Sequence, residues 1–98
     1  MKTTKISQRV YNANQSWYFE ELLKLGDKKI QIRIRKNAYE FQSWGIVELW
    51  DGTKWNKIHT CPGGLLKCKR SYVEPNVTAL DFAEDRKDLL HCAKVVLE

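Results

Sequence analysis

The stretch Lys29-Ile30-Gln31-Ile32-Arg33-Ile34-Arg35-Lys36 decides the architecture, because β-branched and polar side chains alternate through its whole length. That alternation is what a strand with one buried face requires, since successive Cβ atoms point to opposite sides of a sheet. The isoleucines go inward, and Lys29, Gln31, Arg33 and Arg35 go outward. Downstream, Asn37–Glu40 make a connection, and Phe41–Trp50 reads as a second strand ending at the turn signal Asp51-Gly52. Pairing Lys36 with Phe41 in a hairpin sets Ile34 opposite Ser43, Ile32 opposite Gly45 and Ile30 opposite Val47 on one face. The other face then has Arg35 opposite Gln42, Arg33 opposite Trp44, Gln31 opposite Ile46 and Lys29 opposite Glu48. One side is apolar, and the other mixes cations with aromatic surface.

The next strand, Trp55–Thr60, admits two registers. A two-residue Asp51-Gly52 turn sets Val47 against Asn56, whereas a four-residue loop ending at Lys54 pairs Trp50 with Trp55, Glu48 with Lys57 and Val47 with Ile58. The second is chemically more coherent. Cys61-Pro62-Gly63-Gly64 breaks the sheet, and Leu65–Val73 is expected to return as one more, weaker strand before Pro75. Upstream, Trp17–Leu25 reads either as a strand, on its aromatic content, or as a two-turn helix between Ser16 and Gly26; the strand is the preferred reading. Residues 1–15 are polar, with enough alternation at Ile6, Gln8 and Val10 for a short edge strand beyond a loose start. The last segment is helical: Phe82, Leu89, Ala93 and Val96, with Leu90 and Leu97 beside them, recur at helical spacing, and acidic residues gather near its start. Its apolar stripe should cover the isoleucine face. The expected fold is α+β, an antiparallel meander of four to five strands with a C-terminal helix packed on one face.

At 98 residues the chain has room for a single small domain, 1–98, and 43% hydrophobic residues exclude a wholly disordered tail. No apolar run approaches the roughly 18 residues of a membrane span, so no membrane partner is expected. The start, Met1-Lys2-Thr3-Thr4-Lys5, leads into no apolar block and reads as neither a secretory signal nor a lipid anchor. Cys61, Cys68 and Cys92 are odd in number and irregular in spacing, which suits thiols in a reducing compartment, so a cytoplasmic location is expected.

Charge is unevenly distributed: residues 1–73 carry 14 Lys and Arg against 6 Asp and Glu, while residues 74–98 carry 3 against 6. The sheet is basic and the helix acidic. On the expected outer face Lys29, Arg33, Arg35 and Lys57 share the surface with Trp44, Trp50, Trp55 and His59. Such a face suits a protein partner or self-association as a homodimer, because Trp and Arg dominate interface hot spots and uncovered indoles are costly. It also suits single-stranded nucleic acid, where cations follow phosphates and indoles stack on bases. A third account has the indoles covered within the chain, by the N-terminal segment or residues 65–73, with Arg33 stacked on Trp44 as a cross-strand pair. The order of strands followed by a closing helix is similar to the unit of the positive-cofactor and whirly class of single-stranded DNA binders. That likeness is one of architecture, with no motif residue in common.

Catalytic and metal chemistry find little footing. Zinc bound by Cys61, Cys68 and a histidine is a weak signal: six residues separate the thiols, and no second close pair exists. His91 and Cys92 are helix neighbours about 100° apart and cannot serve each other. His59 and Cys61 share a strand face, with no acid expected beside them. Glu20-Glu21 and Glu84-Asp85 read as solvated or dipole-matching charges, Gly63-Gly64 as a turn, and Lys67-Cys68-Lys69-Arg70 as a charged strand edge. The expectation is a non-catalytic binding module with no cofactor.

Overall fold

The computed structural model describes residues 2–71 and 73–98. Five strands follow in order, β1 (Thr3–Ala13), β2 (Ser16–Leu25), β3 (Lys28–Lys36), β4 (Trp44–Trp50) and β5 (Trp55–Pro62), and α1 (Ala83–Leu97) closes the chain. All neighbours are antiparallel and the spatial order is the sequence order, so the sheet is a simple meander. Short 3-10 turns occupy Glu40–Gln42, Gly63–Leu65 and Ala79–Phe82. No helix among the described residues is long and apolar enough to cross a membrane.

The isoleucine alternation does what its period requires. Ile30, Ile32 and Ile34 are fully buried and join Phe19, Leu23, Leu25, Val47, Phe82, Leu89 and Ala93 in one core between sheet and helix. The helix approaches closely over Gly45, where a Cβ would stand 3.1 Å from Leu89 Cδ1. Thr78 and Asp81 form a capping box that starts the last helical segment, and Leu97 rather than Val96 completes the apolar stripe; Val96 is exposed.

The stretch Trp17–Leu25 is strand throughout, and the N-terminal segment is a full edge strand paired with β2 from Thr3 to Ala13, longer than the short strand expected there. A bulge between Lys5 and Ser7 interrupts that pairing. The β3–β4 register differs from expectation by two residues: Ile34 meets Gly45, Ile32 meets Val47, and Arg35 meets Trp44. The cause lies in the connection. Asn37–Ser43 forms a longer loop whose Ser43 Oγ accepts from Asn37 N at 2.9 Å, so Phe41 and Gln42 belong to the loop and not to the strand. An even shift leaves every side chain on its expected face.

At β5, Trp50 pairs with Trp55 and Glu48 with Lys57, as the four-residue loop requires, and the Asp51 carboxylate holds that loop by accepting from Thr53 N and Lys54 N. A bond from the Asn56 side chain, with those from the Lys54 and Thr53 amides, holds the Asp51 carboxyl well below the usual carboxylate range. Val47, however, meets His59 instead of Ile58, because a bulge leaves Ile58 without a partner. No strand forms over Leu65–Val73 among its described residues; Tyr72 lies outside them. Leu66 and Cys68 instead sink into the core, and the amides of Lys67 and Cys68 donate to the two Asp85 oxygens at 2.7 and 3.0 Å. Donors satisfied by a helix carboxylate do not seek a sheet edge.

Candidate functional site: the open face of the sheet

Helix α1 and the core residues Leu66, Cys68, Val77 and Phe82 of the segment before it lie on the isoleucine side. Among the described residues none adds a covering layer to the opposite face. The pairing places Arg9, Lys24, Lys29, Arg33, Arg35 and Lys57 on it, against the carboxylates of Glu20 and Glu48, a net of four positive charges. Trp44, Trp50 and Trp55 share this face, and so do Tyr11 and Tyr18. Seven of the eight residues singled out in the sequence, Lys29, Arg33, Arg35, Trp44, Trp50, Trp55 and Lys57, are therefore gathered here. His59 is not, because the bulge at Ile58 turns it to the helix side.

The face is an interlocked layer of rings and cations. Arg33 sits 5.6 Å from the Trp44 ring, Arg35 lies 5.9 Å from Tyr18, and Lys29 lies 5.9 Å from Trp50. Arg9 approaches the Tyr11 ring at 4.6 Å, and Tyr11 in turn stacks on Tyr18 at 5.0 Å. Trp50 and Trp55 meet at 5.3 Å with a tilt of 57°. Beneath this layer Ile46 is largely shielded even though it points away from the core, because long side chains lay their stems across it. Arg33 is also held by Glu48 at 3.3 Å and Glu20 at 3.6 Å, and Arg9 pairs with Glu20 at 2.6 Å. Arg33 and Trp44 do interact across the strands, as a diagonal pair, since the register puts Arg35 directly opposite Trp44. Within the 65–73 segment Ser71 meets a different tryptophan, Trp17, whose Nε1 donates to Ser71 O at 3.0 Å on the other side.

His59 enters a cavity of about 190 Å³ between β5 and α1, lined also by Cys61, Cys92, Asp85, Asp88 and Leu89. The acids beside His59 and Cys61 were not expected, because they come from the helix. Burial, together with the Asp85 and Asp88 charges, pushes the Cys61 thiol up, opposite to the activation a nucleophile needs. Burial also raises the Cys68 thiol. No three His, Cys, Asp or Glu side chains among the described residues are grouped to hold a metal ion, and Cys61, Cys68 and Cys92 are free thiols.

The Glu20-Glu21 pair departs from the expected solvated charges. Glu20 lies on the open face, but the Glu21 side chain is wholly buried, with Arg86 Nη2 at 2.7 Å and Gln8 Nε2 at 2.6 Å. It is not a solvated charge. Sequence alone could not show this, because Arg86 lies 65 positions away.

At one corner of the sheet Gly63 packs against the backbone of the β3–β4 loop so closely that a Cβ would fall 2.0 Å from Glu40 O and 2.6 Å from Ser43 O. Gly63→Ala is expected to cost about 1–3 kcal/mol through forced displacement of that loop, read as a lower urea midpoint with an unchanged slope. Gly64→Ala, with only the Glu40 side chain 3.4 Å away, should be near neutral.

No family model matches this chain, and no curated protein or solved structure is significantly similar to it.

Proposed function

We propose that the chain is a non-catalytic binding module whose open sheet face docks a protein partner with a net negative surface. The observation that supports this reading is the asymmetry of the sheet: one face is sealed by α1 and its approach segment, and the other presents rings and six cations against two carboxylates. An acidic partner complements that charge and covers the partly exposed Trp50–Trp55 corner, the kind of anchor that dominates interface energetics.

Two details favour this over single-stranded nucleic acid. Base stacking needs an open ring face, yet Trp44 and Trp50 already hold Arg33 and Lys29 against theirs. Glu20 and Glu48 sit among the cations, where a phosphate backbone charged at every step would meet them, whereas a protein surface can set its acids opposite the cations alone. Self-association through this face sets two net positive surfaces against each other and is disfavoured on the same ground.

The test is an amide NMR titration with the acidic peptide acetyl-Glu-Leu-Asp-Leu-Glu-Leu-amide, run beside a dT12 oligonucleotide at low and high salt. Shifts centred on Lys29, Arg33, Trp50 and Lys57, weakened at least about tenfold by Trp50→Ala, are the expected result. Absence of peptide shifts, or dT12 affinity that falls steeply with salt, overturns the protein-docking reading; the second outcome installs the nucleic-acid one.

A further inference from the structure

The loop Asn37–Ser43 is an exposed element on a buried polar scaffold. Asn37, Ser43 and Ser16 are each no more than 4% exposed. Asn37 Nδ2 donates to Ser16 Oγ at 2.9 Å and to Gln15 O at 3.0 Å, tying the β3–β4 loop to the β1–β2 turn. Asn37 Oδ1 accepts from Tyr39 N at 3.1 Å, and Ser43 Oγ donates to Tyr39 O at 3.0 Å. Gly63 wedges beneath Glu40 from the other side. A loop held by this many hydrogen bonds to buried side chains has little conformational freedom left to lose on binding.

What this rigid loop displays is aromatic and acidic. Phe41 is 82% exposed and Tyr39 59%, with ring centroids 5.6 Å apart. Phe41, Trp44, Pro62, Gly63, Gly64 and Glu40 line a shallow groove of about 490 Å³. Among the described residues no hydrogen bond or ion pair engages the Glu40 carboxylate, whereas Glu20, Glu21 and Glu48 are all paired. An unpaired carboxylate among flat rings, in a chain otherwise rich in cations, complements a planar cation.

The geometry points to an arginine side chain, carried on an extended peptide segment of a partner, as the occupant of this groove. Guanidinium stacks on aromatic faces and pairs with carboxylate in one geometry, which a lysine ammonium does not match. The chain uses that stacking itself, in Arg33 over Trp44 and Arg9 over Tyr11. At Gly64, which is exposed and lacks a side chain, a peptide backbone can approach the groove. This inference does not rest on the reading of the open face, although Trp44 borders both surfaces.

The experiment is an amide NMR titration of the whole chain with acetyl-Pro-Arg-Pro-amide and with its citrulline counterpart, which keeps the shape and removes the charge. Saturable shifts confined to residues 37–44 and 61–64, about fivefold tighter for arginine than for citrulline, are expected. Glu40→Gln should abolish that preference, and Phe41→Ala should weaken both peptides; both side chains are exposed, so the fold persists and the remaining resonances report it. Equal affinity for the two peptides, no saturable shift up to about 10 mM, or a preference that survives Glu40→Gln overturns the assignment. Shifts that fall instead on Lys29, Trp50 and Lys57 also overturn it while leaving the open-face reading standing.

Discussion

Replacing Arg86 with alanine is expected to lower unfolding stability by about 3–5 kcal/mol, because it strands the Glu21 carboxylate in the interior with its charge uncompensated. Arg86 grips both Glu21 oxygens at 2.7 Å, and Glu21 itself has no solvent exposure along its side chain. Most of the loss comes from the orphaned partner and not from the bond itself. The double variant Glu21→Leu with Arg86→Met should therefore recover most of the stability, and urea midpoints of the four proteins in a mutant cycle would show it. A double variant as unstable as the single one would mean that the ion pair has a net value far above its desolvation cost.

The same pair sets an acid limit. Burial alone would raise the Glu21 carboxyl, but the bonds from Arg86 and Gln8 outweigh it and leave the group below its ordinary value of 4.5. A carboxyl lowered on folding binds fewer protons in the native state than in the unfolded chain. Its contribution is complete above that ordinary value and is lost as the pH falls through the lowered folded one. Wild type should lose stability below about pH 4.5 faster than Glu21→Leu/Arg86→Met does.

Phe82→Ala is the second large effect, with an expected cost of about 3–5 kcal/mol. The ring is fully buried, 5.6 Å from that of Phe19, at the joint where the Ala79–Phe82 turn passes into α1. Its removal opens a cavity between sheet and helix that fixed backbone on both sides prevents from closing. A domain this size loses roughly 4–8 °C of melting temperature per kcal/mol, so thermal unfolding gives a large signal. Leu80→Ala, two positions earlier and 85% exposed, should change stability by no more than about 0.5 kcal/mol. A comparable loss from both variants would show that the buried ring is not what holds the closing helix, since alanine at either position does not lower helix propensity.

Several features of the candidate site are visible in the residues themselves. Alternation from Lys29 to Lys36 assigns Arg33 and Arg35 to one face and the isoleucines to the other, and the folded sheet keeps that division. The Trp50–Trp55 and Glu48–Lys57 pairs follow from the loop length at Asp51. Other features depend on groups far away in the chain. The β3–β4 connection lengthens because Asn37 finds Ser16 and Gln15 in the preceding hairpin. Residues after Leu65 forgo a strand because Asp85 takes their amides. His59 leaves the open face because a single unpaired residue, Ile58, reverses the alternation after Lys57.

The sequence by itself determined the antiparallel meander, the closing helix and the chemistry of the uncovered face, because the period of a strand and the amphipathic stripe of a helix are local properties of consecutive residues. Tertiary structure alone decided the two-residue register, the turning of His59, the burial of Glu21 against Arg86 and the aromatic groove beside Glu40. Each of these is settled by which buried polar group finds a partner, and the partners lie on segments that only folding brings together.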